Sequence, residues 1–391
     1  KIYVHSYFSC ISLHMHRCFY ILNIKLNGED MKNRKLLILS VIALIILSLF
    51  MIYSASFIWA NYKFSNPFKY VINQAIFSLI GLVLLYIISK INYKFYYKKA
   101  SLILLICVIL LILVLIPGLG NIRNGSRSWF VVGPFSLQPS EFSKIGLIIF
   151  TSKYLANSNK FLKDYKKGIF PILFILLFIF GLIMLEPDFG TGMIIVVSII
   201  AMLFVAGVNM KFFLILGLVG VLGIVGLIII APYRMDRITS FLNPWSDPLG
   251  TGFQIIQSLY AIGPGGLFGT GYLNSRQKNF YLPEPQTDFI FSIISEEFGV
   301  MGVLIVLGLF SILLITCLKI SLKQTDKFPK YLAFGLTFQL IVQVIMNLSV
   351  VIGLIPVTGV TLPFLSYGGS SLLTSLVAIG IILNIDNQTN K

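Results

Sequence analysis

The side chains able to do chemistry in this chain are few, and most are carboxylates. Asp288 closes the run Leu282-Pro283-Glu284-Pro285-Gln286-Thr287-Asp288 and is followed at once by an apolar stretch. A carboxylate at such a junction can act as a general base or hold a metal ion. It can equally cap the helix that follows, alone or through Thr287. Glu141 and Lys144, in Gln138-Pro139-Ser140-Glu141-Phe142-Ser143-Lys144, stand three apart on one helix face. They form either a self-neutralising pair or part of a polar cavity. Glu186 and Asp188 flank Pro187; together they could bind a metal or a sugar hydroxyl, though capping of the next helix is favoured. Of the adjacent pair Glu296 and Glu297, Glu296 falls nearer the face of Asp288 at about 100° per residue and is the expected cavity resident. With Arg123, Arg127, Arg234, Arg237, Arg276 and Lys278, these groups describe a charged site for an anionic substrate, a metal ion, or both. The three histidines (His5, His14, His16) all precede residue 20, so chemistry further along has no imidazole base. The four cysteines include no Cys-x-x-Cys pair and indicate neither a zinc site nor a disulfide frame.

The elements that carry these residues follow from composition. Hydrophobic residues make up 57% of the chain and charged residues 11%, against roughly 25% charged in a soluble globule. A soluble enzyme, a disordered chain and a nucleic-acid-binding domain are thereby excluded. The expectation is an all-α polytopic membrane protein of about ten transmembrane helices, at 36–59, 70–89, 101–118, 141–157, 168–185, 191–208, 211–231, 289–318, 331–354 and 370–386. With the N-terminus inside, eighteen Lys and Arg residues after Met31 fall in inner segments and eight in outer ones, which supports an even number of spans and two cytoplasmic termini. Nine of the acids then lie in the outer half, and the formal charge of +16 reflects topology rather than nucleic acid.

Two outer loops stand out. Residues 119–140 read as a polar loop holding Arg127 and Trp129. Residues 232–288 form a long extracellular loop between the seventh and eighth helices, rich in Gly and Pro, with a short interfacial helix expected at 252–262. The glycines after it would allow close approach of the backbone to a ligand, or simple loop freedom. Residues 1–30 read as an upstream extension: Gly28-Glu29-Asp30 before Met31 is what a purine-rich ribosome-binding site yields when translated in frame. Residues 31–391 read as a single membrane domain.

Five stretches, in order, resemble the SEDS family of bacterial shape, elongation, division and sporulation proteins (RodA, FtsW, SpoVE). They are Arg127-Ser128-Trp129 with Gln138 to Lys144; Glu186-Pro187-Asp188 with Gly190-Thr191; Leu282 to Phe291; Glu296-Glu297 with Gly299; and Pro363 to Ser371, which includes Ser366 and Tyr367. The run from Gly252 to Gly269, with Ser275-Arg276-Gln277-Lys278, is closer to the FtsW/SpoVE branch than to RodA. The resemblance implies a peptidoglycan glycosyltransferase of the bacterial cytoplasmic membrane that polymerises lipid II at the outer face. It implies Asp288 as the essential loop aspartate and Glu141 and Lys144 as cavity residues. It also implies Arg127, Trp129, Gln138, Glu186, Asp188, Arg276, Lys278, Glu284, Glu296, Ser366 and Tyr367 as substrate-binding candidates. The implied partners are a class B penicillin-binding protein and other division or sporulation membrane proteins, with no nucleic acid. A divalent cation, Mg²⁺ or Mn²⁺, could share the site, with Asp288 as its candidate ligand; no organic cofactor is expected. The rival readings are a lipid II flippase or transporter and a non-catalytic scaffold.

Overall fold

The computed structural model describes residues 30–123, 126–133, 135–157, 168–230, 241–250 and 252–389. The expected upstream extension, up to residue 29, and Arg234, Asp236 and Arg237 of the long loop lie outside the described residues. Each of the ten expected segments is a helix. They are α1 (Asp30–Phe64), α2 (Lys69–Lys90), α3 (Tyr93–Leu115), α4 (Pro139–Asn157), α5 (Phe170–Leu185), α6 (Phe189–Val205), α7 (Met210–Ile230), α9 (Ile290–Lys323), α10 (Lys327–Val351) and α11 (Gly369–Thr389). The short α8 (Phe253–Ile262) lies within the long loop at the place expected. Among the described residues, α1, α2, α3, α9, α10 and α11 are long and apolar enough to cross a membrane; α5, α6 and the start of α7 are shorter and apolar. The chain is an all-α polytopic membrane protein.

The helix ends show local chemistry at work. Three helices stop at Leu115, Val205 and Val351, each short of the expected end, and Gly118, Gly207 and Gly353 follow them with positive φ. Glycine in that conformation ends a helix at little steric cost. Asn92 caps α3 by accepting the Lys94 amide at 2.9 Å, and Pro139 opens α4 where a missing N–H costs nothing.

Residues 119–140 differ from the expected loop. They form a three-stranded antiparallel sheet, β1 (Asn121–Arg123), β2 (Ser126–Val132) and β3 (Phe135–Leu137). The stretch Ser126-Arg127-Ser128-Trp129-Phe130 shows no period of two, three polar residues being followed by two aromatic ones, so its strand could not be read from patterning. Gly133 at φ +59 makes the turn into β3.

Helices α4, α10 and α11 form the middle of the bundle and are buried on most sides. They therefore turn side chains towards one another rather than towards lipid, and polar residues on them have to be satisfied internally. α2 and α3 pack at the periphery against α11 and α4, and α9 packs on α1 and α10.

Candidate active site

Four segments meet at one end of α4, α10 and α11. Asp188 caps α6: its Oδ1 accepts the Thr191 amide at 3.1 Å. Its Oδ2 accepts Gln138 Nε2 at 2.8 Å and Ser140 Oγ at 3.1 Å, which ties the start of α4 to the 186–190 turn. The capping role favoured for Asp188 is thus seen at Oδ1, while Oδ2 is taken by Gln138 and Ser140. The Gln138 amide donates to Ser370 Oγ at 3.0 Å, adding the start of α11. Gly190 lies against Thr358 and Val360, where a side chain would collide with the Thr358 carbonyl.

Asp288 joins through α10. Asn347 Nδ2 donates to the Asp288 carbonyl at 2.7 Å and to the Val360 carbonyl at 2.8 Å. The Tyr367 amide donates to the Gln286 carbonyl at 2.8 Å. The residue that caps α9 is Phe289, with no side-chain cap, so the carboxylate of Asp288 is not consumed at the helix end. It accepts Thr287 Oγ1 at 2.9 Å and is partly exposed. Burial pushes its pKa up to about 6, with a contribution from Glu284, against the lowering effect of the Thr287 hydrogen bond. A carboxylate so tuned is ionised at neutral pH yet basic enough to take a proton.

One helical turn along α10 from Asn347 stands Gln343. Its Oε1 accepts Lys144 Nζ at 3.1 Å, and its Nε2 donates to Ser371 Oγ at 3.0 Å and to the Thr361 carbonyl at 3.1 Å. Lys144 Nζ is 2.8 Å from Glu141 Oε1, and Thr374 Oγ1 donates to Glu141 Oε2 at 3.0 Å. The pair is buried and locked by hydrogen bonds from two other helices. The two amides on α10, which hold the adjacent carbonyls of Val360 and Thr361, thus link the backbone of Asp288 to the polar seam of Glu141 and Lys144.

The remaining candidates distribute unevenly. Tyr367 stands beside this seam, its ring edge-to-face with Tyr70 at 4.9 Å and its hydroxyl 3.4 Å from Asn73 Nδ2. Ser366 is buried, and its Oγ accepts the Leu362 amide at 2.8 Å, closing a turn. Glu284 is exposed, four residues before Asp288. Arg127 and Trp129 are half-buried on β2. Glu186 is fully buried and neither carboxyl oxygen has a hydrogen-bond partner. Burial, then the charge of Asp188, pushes its pKa up to about 9, so it keeps its proton at neutral pH. Arg276 is exposed, whereas Lys278 of the loop is buried together with Glu296 and Glu297 of α9. Glu296 and Glu297 share that neighbourhood; no separation onto two faces is seen, because both reach the 275–278 turn.

Sequence reasoning missed Ser140, Gln343, Asn347, Thr361, Ser370, Ser371 and Thr374. A signal was present for two of them: Gln339, Gln343 and Asn347 repeat every four residues along an apolar helix, and such amides mark an internal polar face.

The family model for FtsW/RodA/SpoVE cell cycle proteins matches residues 34–391. The chain is 51% identical to Stage V sporulation protein E of Bacillus subtilis (strain 168), over 90% of this chain and 97% of that protein. It is 42% identical to the probable peptidoglycan glycosyltransferase FtsW of Trichlorobacter lovleyi, over 89% of this chain and 92% of that one. Among solved structures, a chain from a peptidoglycan synthase complex that coordinates polymerisation and crosslinking superposes with a TM-score of 0.74 at 30% identity, covering 91% of this chain and 98% of that one. The crystal structure of the rod-shape-determining protein RodA of Thermus thermophilus gives 0.67 at 27% identity, covering 91% and 97%. With nearly its whole described length matched in sequence and in fold, the chain belongs to the FtsW/RodA/SpoVE family.

Proposed function

We propose that this protein is a peptidoglycan glycosyltransferase that polymerises lipid II at the outer face of the bacterial cytoplasmic membrane, in division or sporulation. In this reading the chain crosses the membrane ten times with both termini in the cytoplasm, and Asp288 stands at the outer rim, where a polyprenyl-linked substrate can enter from the bilayer. It works beside a crosslinking enzyme, a class B penicillin-binding protein, and other membrane proteins of division or sporulation. The observation that carries this reading is Asp288: a partly exposed carboxylate, left free by the helix cap and poised near pH 6, on a residue whose backbone carbonyl Asn347 ties to the polar seam that reaches Lys144.

In the reaction Asp288 takes the proton of the acceptor sugar's 4-hydroxyl as that oxygen attacks the donor's anomeric carbon. The bond from that carbon to the diphosphate oxygen breaks, and the lipid diphosphate leaves with the electron pair. Direct displacement with a single base inverts the anomeric centre, by analogy with inverting glycosidases. Gln138, Asp188 and Tyr367 line the same seam and would orient sugar hydroxyls, with Arg127, Trp129, Arg276 and Glu284 nearer its rim.

Among the described residues no group of three or more His, Cys, Asp and Glu side chains converges. A divalent cation would therefore rest on Asp288, with substrate oxygens and water completing its shell, a common arrangement for Mg²⁺. It would supply charge neutralisation to the departing diphosphate.

The test is polymerisation of lipid II by the purified protein with its partner's transpeptidase blocked and divalent cations varied, beside Asp288→Asn. Glycan ladders from the wild type and none from the variant are expected. Well-folded wild type that makes no polymer but carries lipid II across liposome membranes would overturn the proposal in favour of a flippase. Normal growth of cells carrying only Asp288→Asn would favour a scaffold.

A further inference from the structure

The long outer loop is built into α9. At Gly299 the helix breaks (φ 60, ψ −153), which strips the amides that follow of their partners within the helix. The loop supplies replacements: the Val300 and Met301 amides donate to the carbonyls of Gly266 at 3.0 Å and Leu267 at 3.1 Å. In return the Thr270 and Gly271 amides donate to the carbonyls of Glu296 at 2.9 Å and Glu297 at 3.0 Å. Gly265 and Gly269 sit so close to the α9 backbone that a side chain on either would collide with a carbonyl oxygen. The glycines expected to let backbone approach a ligand let it approach this helix.

Three side chains finish the attachment. Glu296 accepts Ser275 Oγ at 2.5 Å and the Arg276 amide at 2.7 Å. Glu297 Oε1 accepts Ser54 Oγ at 2.5 Å, and Lys278 Nζ stands 2.8 Å from it. The Lys278 ammonium also donates to Ser54 Oγ at 3.1 Å and lies 5.1 Å from the centre of the Phe57 ring, both on α1. Lys278 is 2% exposed, so its ammonium is spent inside the protein. Ten residues on, the same loop delivers Asp288.

We infer that Lys278, Glu296 and Glu297 are positioning residues that clasp the 263–289 loop to α1 and α9 and so hold Asp288 at the rim, rather than ligands of the substrate. The link to catalysis rests on the function proposed above; the clasp itself does not. A buried ion pair cut on one side leaves an uncompensated charge, while an apolar pair of similar volume can replace both partners. That asymmetry separates a clasp from a substrate contact.

The experiment compares Lys278→Met, Glu297→Met and the double variant. Amide hydrogen exchange is followed over 269–282 in the purified protein, and kcat and KM for lipid II are measured. Each single variant is expected to speed exchange across the loop and to lower kcat by about twentyfold or more, with KM within about threefold. The double variant is expected to slow exchange again and to recover at least about tenfold in kcat over either single. If the singles do not accumulate as folded protein, a folded double variant with protected loop amides supports the clasp. A double variant no better than Lys278→Met, with KM raised about tenfold, would make Lys278 a substrate ligand and overturn the inference. So would single variants whose loop amides exchange as slowly as the wild type's. Were the wild type to make no polymer at all, the exchange arm would still decide the clasp, and only the proposed activity would fall.

Discussion

Asp288 and Glu186 are both carboxyls shifted upward by burial, and the consequences differ because one is partly open and the other sealed. In the proposed reaction Asp288 can take a proton only when ionised. With its pKa near 6 when no cation is bound to it, polymerisation at limiting cation should be close to full at pH 7.5 and fall about tenfold per pH unit well below 6. A rate limb centred near an ordinary aspartate's 4 would argue that another group takes the proton. Glu186 governs stability instead. Its folded pKa of about 9 lies above an unfolded value of about 4.3, so between those values the folded state holds the extra proton and stability declines as pH rises. The wild type's thermal midpoint should therefore drop from pH 5 to pH 8, and Glu186→Gln, which cannot ionise, should flatten that drop. An unchanged slope in the variant would show that Glu186 is hydrated and ordinary. At this scale the sequence marked residue types but not their duties. Scarcity of acids in an apolar chain pointed to Asp188, Glu141 and Asp288. It could not separate Lys144 in the seam from Lys278 in the loop, because only packing decides which groups a buried cation meets.

At the scale of elements, the seam depends on α4, α10 and α11 being buried on most sides, which makes the Glu141–Lys144 pair structural as well as chemical. Lys144 is 1% exposed, so Lys144→Met leaves the Glu141 carboxylate buried with only Thr374 to satisfy it. A loss of about 3–5 kcal/mol is expected, the usual cost of breaking a buried pair on one side. Denaturant unfolding in detergent would measure it, and a loss under about 1 kcal/mol would mean that water reaches the pair. The helices were legible because twenty-residue apolar runs have few other uses. The sheet at 121–137 was hidden, since its longest strand has seven residues and carries charge, which reads as a loop. The splice of the glycine loop into α9 was hidden for another reason. Glycine-rich sequence states that backbone can come close, not to what.

Over the whole molecule, the proposed chemistry demands that one end of the bundle face outward. The polar seam, the sheet and the long loop all gather at that end, while α2, α3, α9 and α10 carry Lys90, Lys94, Lys98, Lys99, Lys319, Lys323, Lys327 and Lys330 at their opposite ends. Lysine-rich turns stay on the cytoplasmic side during insertion, so the charge pattern and the location of Asp288 agree on orientation. The arrangement can be read from single cysteines. Leu249, 88% exposed on the long loop, and Lys94, exposed at the start of α3, sit at opposite ends. The native Cys107 and Cys317 are buried and should remain silent, and Cys10 and Cys18 can be changed to Ser. In intact protoplasts a membrane-impermeant maleimide should label Leu249→Cys at once, and Lys94→Cys only after the membrane is opened. Reversed labelling would turn the catalytic rim towards the cytoplasm, where an enzyme extending strands outside the membrane could not work, and labelling of both in sealed protoplasts would contradict a pair of turns separated by one bilayer.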